Sequence, residues 1–274
     1  MGEGLLLYMY FYFVFCQDTL LLTQEGRVPL TEKPPVILES WQNLQKLPDL
    51  EGYPCLAVQT PYPQAPLGLQ FVGLREAFRI LPFAFYQMAG KARELLHWDN
   101  LTKFCGVCGA PMKRTSDISK KCPECGKEIW PSPSAAIIVA ITRKGGREIL
   151  LVQSKKFKRD YLGLVAGFVE TGETLEACVH REVMEETNLR IKNLQYFASQ
   201  AWPYPFGLMI GFTAEYESGE LRLQLTELNK GGWFSPENLP AIPGKVSLAR
   251  QLIDNWLESF NQNPKEHSSQ SGER

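Results

Sequence analysis

A glutamate-rich stretch of the chain has the residue types and spacing to hold divalent metal ions. From Glu170 to Glu186 there are six glutamates and one arginine, so the formal local charge is −6 + 1 = −5. Glu182, Glu185 and Glu186 are spaced i, i+3 and i+4, which places their carboxylates on one face of a predicted helix. Converging oxygen ligands suit Mg²⁺ or Mn²⁺. An acidic, solvent-exposed helix face is the simpler alternative.

Four of the seven cysteines have the spacing of a zinc site. The motifs CGVCG and CPECG each end in glycine, and thirteen residues separate their inner cysteines. Disulfides or a redox Cys-x-x-Cys pair are the alternatives, but they need a secreted or thioredoxin-like context. Four thiolates leave no open position for a catalytic water, so a structural zinc is expected. The predicted ligands are Cys105, Cys108, Cys122 and Cys125.

Regular elements can be predicted around both groups. The glutamates are expected on a helix from about 175 to 187, which follows a strand in LGLVAGFV. The neighbouring elements are a hairpin at 135–142 and 148–152, strands near 190–198 and 208–216, and a final helix at 247–260 with Ser247 as its N-cap. Upstream, the predicted elements are strands near 5–15, 55–59 and 69–72 and an amphipathic helix at 83–98.

The chain length favours a multidomain protein, and the pattern of predicted strands and helices is α+β. The chain has 274 residues, of which 44% are hydrophobic and 22% charged, and this excludes coiled-coil, collagenous and wholly disordered classes. The net charge of −1 provides no global attraction for nucleic acid or anionic lipid. The predicted divisions are an N-terminal α+β domain at 1–99, a four-cysteine zinc ribbon at 100–131, a C-terminal domain at 132–260 and a disordered tail at 261–274.

The apolar N-terminus and the remaining cysteines favour a cytoplasmic protein. The apolar run from Leu5 to Phe15 is too short to span a bilayer and lacks the features of a signal peptide, so a buried strand is expected. Cys16, Cys55 and Cys178 stand alone in apolar surroundings and are expected as buried thiols. Unpaired thiols are typical of the cytoplasm, and no membrane partner is expected.

The glutamate stretch resembles the Nudix hydrolase box. From Gly167 the segment GFVETGETLEACVHREVMEETNL follows Gly-x5-Glu-x7-Arg-Glu-U-x-Glu-Glu-x-Gly-U, where U is aliphatic, at every defined position but one. Asn188 stands where the family has glycine, a mild change because asparagine also adopts the left-handed conformation of a helix C-cap. The matching residues are Gly167, Glu173, Arg181, Glu182, Val183, Glu185, Glu186 and Leu189.

This resemblance implies an α/β/α sandwich around a mixed sheet, with metal-dependent hydrolysis of a nucleoside diphosphate linked to another group. Glu173 is expected to pair with Arg181. A bound metal would lower the pKa of a water for in-line attack on phosphorus, with Glu182 or Glu227 as candidate base. The implied ligands of Mg²⁺ or Mn²⁺ are the carbonyl of Ala166 and the carboxylates of Glu182, Glu185, Glu186 and Glu227.

A second motif, SQAWPYPFG at 199–207, resembles the Ser-Gln-Pro-Trp-Pro-Phe-Pro-x-Ser signature of the NADH pyrophosphatase family. The chain departs from it at Ala201, Tyr204 and Gly207. Three aromatics stiffened by prolines suit stacking of a base or nicotinamide ring, and a surface loop packing its own aromatics is the alternative. The implied substrate-binding residues are Gln200, Ala201, Trp202, Pro203, Tyr204, Pro205, Phe206 and Gly207.

Further substrate contacts are implied outside this loop. Phe168 occupies the family's stacking position, although a strand aromatic could equally belong to the core. Ala249 is expected to contact substrate through its backbone. The remaining implied contacts are Arg75, Asp117 and Trp130.

The domain order also matches this family, so the resemblance covers nearly the whole chain. It implies a homodimer that cleaves NADH or NAD to (reduced) nicotinamide mononucleotide and AMP, and that removes NAD caps from RNA 5′ ends. One alternative is a Nudix hydrolase that prefers ADP-ribose or diadenosine polyphosphates. Another is a non-catalytic zinc-ribbon protein that binds RNA through basic residues between the knuckles, for which a solvated loop is the simpler interpretation. These residues are Lys113, Arg114, Lys120 and Lys121.

Overall fold

The structure is a computed structural model that describes residues 8–39, 42–155 and 160–262. The chain divides into two compact units, of which the first is 1–132 together with Pro203–Phe206 and the second is 133–202 together with 207–274. Residues 5–7 of the predicted first strand and residues 263–274 of the predicted tail lie outside the described residues. The finer division of the first unit at residue 99 stays a prediction.

The first unit contains a six-stranded sheet. Its order is β4-β5-β1-β2-β6, with β3 paired to β1, and only the β1 and β5 pair is parallel. The strands are β1 (Tyr10–Cys16), β2 (Thr19–Thr23), β3 (Leu30–Thr31), β4 (Gln45–Leu50), β5 (Tyr53–Gln59) and β6 (Leu69–Gly73).

Both faces of strand β1 are covered, which explains its continuous apolar sequence. One face packs on α2 (Phe83–Leu101), which follows the short helix α1 (Leu74–Ala77), and the rings of Phe11 and Phe85 meet edge to face at 5.0 Å. The opposite face carries Tyr12 and Val14, which are buried under apolar side chains from connecting segments. The predicted N-terminal α+β organisation is confirmed.

The cysteine segment forms a three-stranded sheet from β7 (Lys113–Ser116), β8 (Ser119–Lys121) and β9 (Glu128–Ile129). The expectation of a solvated basic loop is wrong for Lys120, which is only 5% exposed. Its Nζ donates to the carbonyls of Asp99 at 2.9 Å and Thr102 at 3.1 Å, and it also pairs with the Asp99 carboxylate at 2.8 Å. Lys120 of β8 thus satisfies carbonyls at the C-terminal end of α2 that the helix leaves unbonded.

The second unit is a mixed sheet between two helices, as predicted. The order is β13-β14-β10-β11-β15, with β12 paired to β10, and β10 runs parallel to β14. Helix α3 (Leu175–Thr187) packs on one face of the sheet and α4 (Leu248–Gln262) on the other. The strands are β10 (Ser134–Arg143), β11 (Glu148–Ser154), β12 (Val165–Phe168), β13 (Arg190–Ala201), β14 (Gly207–Ser218) and β15 (Leu228–Phe234).

The two six-stranded sheets have the same strand order and the same single parallel pair. A long helix comes after the last strand of each six-stranded sheet, α2 after β6 and α4 after β15. The glutamate helix α3 lies between β12 and β13, whereas the described residues between β3 and β4 contain no helix. The six-stranded sheet of the first unit therefore repeats that of the second, and its described residues contain no counterpart of the helix that carries the carboxylates.

Among the described residues, no helix combines the length and the apolar character needed to cross a membrane.

Candidate active site and zinc centre

Helix α3 has capping residues at both ends, which fix where its glutamates lie. Thr174 caps the start through a bond from the Ala177 N–H to its hydroxyl oxygen at 3.1 Å. Asn188 ends the helix at φ 60° and ψ 25°, the left-handed conformation expected at this position. Cys178, Val179 and Val183 are fully buried against the sheet. The acidic residues other than Glu186 therefore line the remaining sides of the helix.

Arg181 forms hydrogen bonds with three of the glutamates. Its guanidinium binds Glu173 in bidentate fashion, at 2.6 Å and 3.0 Å, so the expected pair is present. The same side chain donates to Glu182 at 2.9 Å, to Glu185 at 3.0 Å and to the carbonyl of Phe168 at 3.1 Å. One cation thus offsets repulsion among three carboxylates and ties the helix to the end of β12.

The environment shifts the pKa of two of these carboxyl groups in opposite directions. The Arg181 guanidinium, with help from the Glu170 N–H, lowers the pKa of Glu173 to about 2. Burial raises the pKa of Glu182, and the nearby charges of Glu185 and Glu227 act in the same direction, while Arg181 opposes them. Glu182 therefore lies where negative charge accumulates and where a cation would be stabilised.

The backbone of β12 makes room for Glu182. A Cβ built on Gly167 would overlap the carboxyl carbon and both oxygens of that side chain, so glycine is required there for close approach. Neighbouring Ala166 is exposed, and Glu186 is 6% exposed on the buried side of α3. The donor set consists of carboxylate oxygens and a strand carbonyl, which fits a hard divalent cation.

Glu182 and Glu185 do not form a ready-made metal cluster. Within the described residues, the four cysteines are the only set of three or more His, Cys, Asp or Glu ligand atoms that lie within 4.8 Å of one another. Glu182 and Glu185 are instead bonded to Arg181. Metal binding at these two carboxylates would therefore compete with Arg181 for the same oxygens.

The four cysteines fit one zinc ion. The Sγ atoms of Cys105 and Cys125 lie 3.6 Å apart and those of Cys108 and Cys122 lie 3.4 Å apart. These distances are close to about 3.8 Å, the edge of a tetrahedron with Zn–S bonds of about 2.3 Å. The N–H groups of Cys108 and Val107 point at the Cys105 sulfur and lower its pKa to about 6, which favours the thiolate that zinc requires. The pKa of Cys108 is raised instead, because the lowering effect of the Ala110 N–H is outweighed by the Cys122 sulfur together with burial and the other two cysteine sulfurs. The remaining cysteines, Cys16, Cys55 and Cys178, are buried free thiols, as expected.

The side chain of Gln200 connects β13 to the start of α4. Its Oε1 accepts from the Leu248 N–H and its Nε2 donates to the Val246 carbonyl, both at 2.7 Å. Ser247 caps the same helix, as predicted, by accepting from the Arg250 N–H at 3.3 Å. The substrate contact assigned to Gln200 stays a prediction, since both ends of its amide are already bonded within the unit.

Residues 203–206 belong to the first unit, although their neighbours on both sides belong to the second. The loop closes through a bond from the Trp202 N–H to the Gly207 carbonyl at 2.8 Å. The Tyr204 hydroxyl lies 2.9 Å from that of Tyr86, and the Phe206 ring lies 6.1 Å from His97. Ala201 and Pro205 are exposed, whereas Pro203 is buried.

The other predicted substrate residues are spread over both units. Phe168 is 64% exposed, which excludes the alternative that it belongs to the core. Arg75, in α1, lies over the ring of Tyr204. Asp117 is exposed in the β7–β8 turn of the ribbon, where its carbonyl accepts from Gln45. Trp130 is 53% exposed after β9, and the predictions for both residues stay untested.

Two further predicted site residues, the metal ligand Glu227 and the substrate contact Ala249, lie in the second unit. Glu227 is exposed just before β15, and Ala249 is buried in the first turn of α4. Tyr86 and Leu248 take part in the contacts of the loop and of Gln200, and sequence reasoning missed both. Their only sequence signal is a position on a predicted helix, which is equally typical of core residues.

Comparisons with known proteins agree with the two repeated folds. Residues 131–256 match the model of the NUDIX domain, and residues 10–98 match that of the NADH pyrophosphatase-like rudimentary NUDIX domain. A protein of Deinococcus radiodurans named NAD-capped RNA hydrolase NudC is 41% identical over 200 residues, which are 72% of this chain and 71% of that protein. The chain is a Nudix hydrolase of the NudC family.

Two further NudC family members carry the same name. The protein of Chromobacterium violaceum is 42% identical over 185 residues, covering 67% of this chain and 69% of its own length. The protein of Pseudomonas aeruginosa is 38% identical over 226 residues, covering 79% of this chain and 81% of its own length. Family membership accounts for the repeated sheet, because the family's rudimentary domain matches the first unit over 10–98.

Proposed function

We propose that this enzyme hydrolyses the pyrophosphate bond of NADH and NAD to (reduced) nicotinamide mononucleotide and AMP, and that it removes NAD caps from RNA 5′ ends. The observation that carries the proposal is the match of both units to the domains of this family, with relatives named for NAD-cap hydrolysis. The Arg181-centred carboxylate group supports pyrophosphate hydrolysis as the reaction.

Mg²⁺ or Mn²⁺ would be held by Glu182, Glu185, Glu186, Glu227 and the carbonyl of Ala166. A bound ion would neutralise the phosphates and lower the pKa of a water. Glu182 or Glu227 would take the proton of that water. The charge of Glu227 acts to raise the pKa of Glu182, which supports a shared site for the two carboxylates. Arg181 would orient Glu173 and the end of β12 at the metal-ligating face. The zinc ion would stay structural, with four thiolates as its ligands.

The substrate assignment is tested by measuring kcat/KM for NADH, NAD, ADP-ribose and diadenosine polyphosphates with Mn²⁺, and by identifying the products. We expect NADH to give reduced nicotinamide mononucleotide and AMP with the highest kcat/KM among these substrates. A clear preference for ADP-ribose would overturn the assignment. NAD-capped RNA should release its cap in the same assay. RNA binding without any hydrolysis would instead support a binding protein.

The role of the carboxylates is tested with Glu186→Gln. We expect kcat to fall by about a hundredfold or more, because a ligand loses its charge while its shape is kept. The matched control is Glu176→Gln, an exposed glutamate on the first turn of α3, which should keep wild-type turnover. Wild-type turnover in Glu186→Gln would contradict the metal assignment.

We further propose a cytoplasmic homodimer. The buried free thiols of Cys16, Cys55 and Cys178 support a reducing compartment. Light scattering of the purified chain measures the oligomeric state, and a monomer at micromolar concentration would contradict the dimer.

A further inference from the structure

Two residues of the first unit hold the side chain of Tyr204. The Tyr204 hydroxyl lies 2.9 Å from the hydroxyl of Tyr86, a buried residue of α2. The guanidinium carbon of Arg75 lies 3.9 Å above the centre of the Tyr204 ring, a cation–π arrangement. Burial raises the pKa of Tyr204, so its hydroxyl keeps the proton needed for the bond. Arg75 therefore contacts one face of the Tyr204 ring, and Tyr86 contacts its hydroxyl group.

A second contact secures the residue before it. Pro203 is buried, and its Cγ would lie 3.3 Å from a Cβ built on Gly90 of α2. The glycine thus allows the proline ring to approach the helix backbone closely. Both contacts fall on consecutive residues of one loop, so the loop is fixed to α2 at two points.

The Tyr204 contact depends on a departure from the family signature. The signature has phenylalanine at this position, which cannot form a hydroxyl bond with Tyr86. It also has proline where this chain has Ala201, and loss of that ring leaves the loop freer in the unbound state. The added hydroxyl bond and the lost proline therefore have opposite effects on the order of the same loop.

We propose that Tyr86 and Arg75 are positioning residues, which act through Tyr204 to hold residues 203–206 in the conformation that binds the dinucleotide. This inference rests on the proposed function, in which the loop stacks a flat ring of the substrate. A loop ordered beforehand binds without the cost of ordering, whereas a released loop is competent only part of the time. We call the contacts of Tyr204 with Tyr86 and Arg75 the Tyr204 lock. Loss of this lock should change KM, whereas the carboxylates of α3 set kcat.

The test compares Tyr86→Phe, Tyr204→Phe and the double variant in NADH hydrolysis. We expect each single change to raise KM about two- to tenfold, as for loss of one hydrogen bond, with kcat within about twofold of wild type. The double variant should be no worse than either single one, because both remove the same bond. The matched control is Tyr62→Phe, which removes a tyrosine bond to Glu39 elsewhere in the first unit. Unchanged KM in Tyr204→Phe, or additive effects in the double variant, would overturn the lock.

A second measurement detects the lock without any activity. Chymotrypsin cleaves poorly before proline, so of Trp202, Tyr204 and Phe206 only the last offers a good cleavage site in this loop. We expect Tyr204→Phe and Tyr86→Phe to be cut after Phe206 faster than wild type and Tyr62→Phe, as read by mass spectrometry. Equal cleavage rates would overturn the inference. If the wild type fails to hydrolyse NADH, the proposed function fails, and the cleavage rates still report on the lock.

Discussion

The side-chain amide of Gln200 bonds the backbone N–H of Leu248 at 2.7 Å, across 48 positions of the chain. The other end of the amide donates to Val246, so strand β13 holds the loop before α4 and its first turn together. Helix N-termini leave N–H groups without helical partners, and Gln200 satisfies one of them from another element. Ala249, next to Leu248, is the residue expected to contact substrate through its backbone. Gln200 would therefore shape that predicted contact whether or not it touches the substrate itself.

Replacing Gln200 by alanine should destabilise the second unit. Both backbone groups would lose their partner, at a cost of about 1–3 kcal/mol in the free energy of unfolding. Urea unfolding measures this loss. Gln195→Ala is the matched control, because Gln195 is exposed on the same strand and should change stability little. Equal stability of the two variants would show that the hydrogen bonds of Gln200 make no net contribution to the free energy of unfolding.

A methyl group at position 167 should disturb catalysis more than folding. In Gly167→Ala the new Cβ would displace the carboxyl group of Glu182, the proposed metal ligand. Misplacing such a group by about 1 Å can lower kcat about a hundredfold. Gly244→Ala is the control, since a Cβ there meets no atom within 4 Å and its φ is ordinary. Steady-state kinetics and thermal unfolding should be run on both. Full kcat in folded Gly167→Ala would show that the close approach is not needed.

Loss of one zinc ligand should destabilise the first unit. Cys122→Ser removes one of four sulfurs, and apparent zinc binding contributes about 10–16 kcal/mol in zinc-finger peptides. We expect less than one zinc per chain by elemental analysis and a lower Tm or loss of soluble protein. Cys16→Ala should keep one zinc per chain, since Cys16 lies outside the cluster. Zinc loss with an unchanged Tm would argue against a structural role.

Sequence reasoning succeeded where the determining interactions are local. Helix α3 was expected at 175–187 and is found at Leu175–Thr187, because the Thr174 and Asn188 caps act within one turn of its ends. The four-cysteine cluster follows in the same way from two short knuckles.

Sequence reasoning failed where long-range pairing decides. Strand β4 (Gln45–Leu50) contains a proline and β15 (Leu228–Phe234) two adjacent glycines, so neither has strong strand propensity. Both form because they pair with other strands of their sheets. β4 pairs with β5, and β15 pairs with β11. Assignment of residues 203–206 to the first unit depends on contacts with α1 and α2, such as that of Tyr204 with Tyr86, which no local pattern indicates.

The pair of Glu173 and Arg181 should make stability depend on pH in the acid range. The pKa of Glu173 falls from 4.5 to about 2 in the folded chain. A lowered folded pKa stabilises the folded state fully above the unfolded value of 4.5, and this contribution is lost as the pH falls towards 2. Glu173→Gln lacks it at every pH.

The difference in stability between wild type and Glu173→Gln should therefore be largest above pH 4.5 and shrink as the pH approaches 2. Urea unfolding of both proteins over this range, without added metal, measures the difference directly. Glu176→Gln serves as control, because that side chain is exposed and lies outside the bonds that Arg181 makes. A difference that stays constant with pH would show that the carboxylate charge of Glu173 contributes nothing through Arg181, and that only its shape matters.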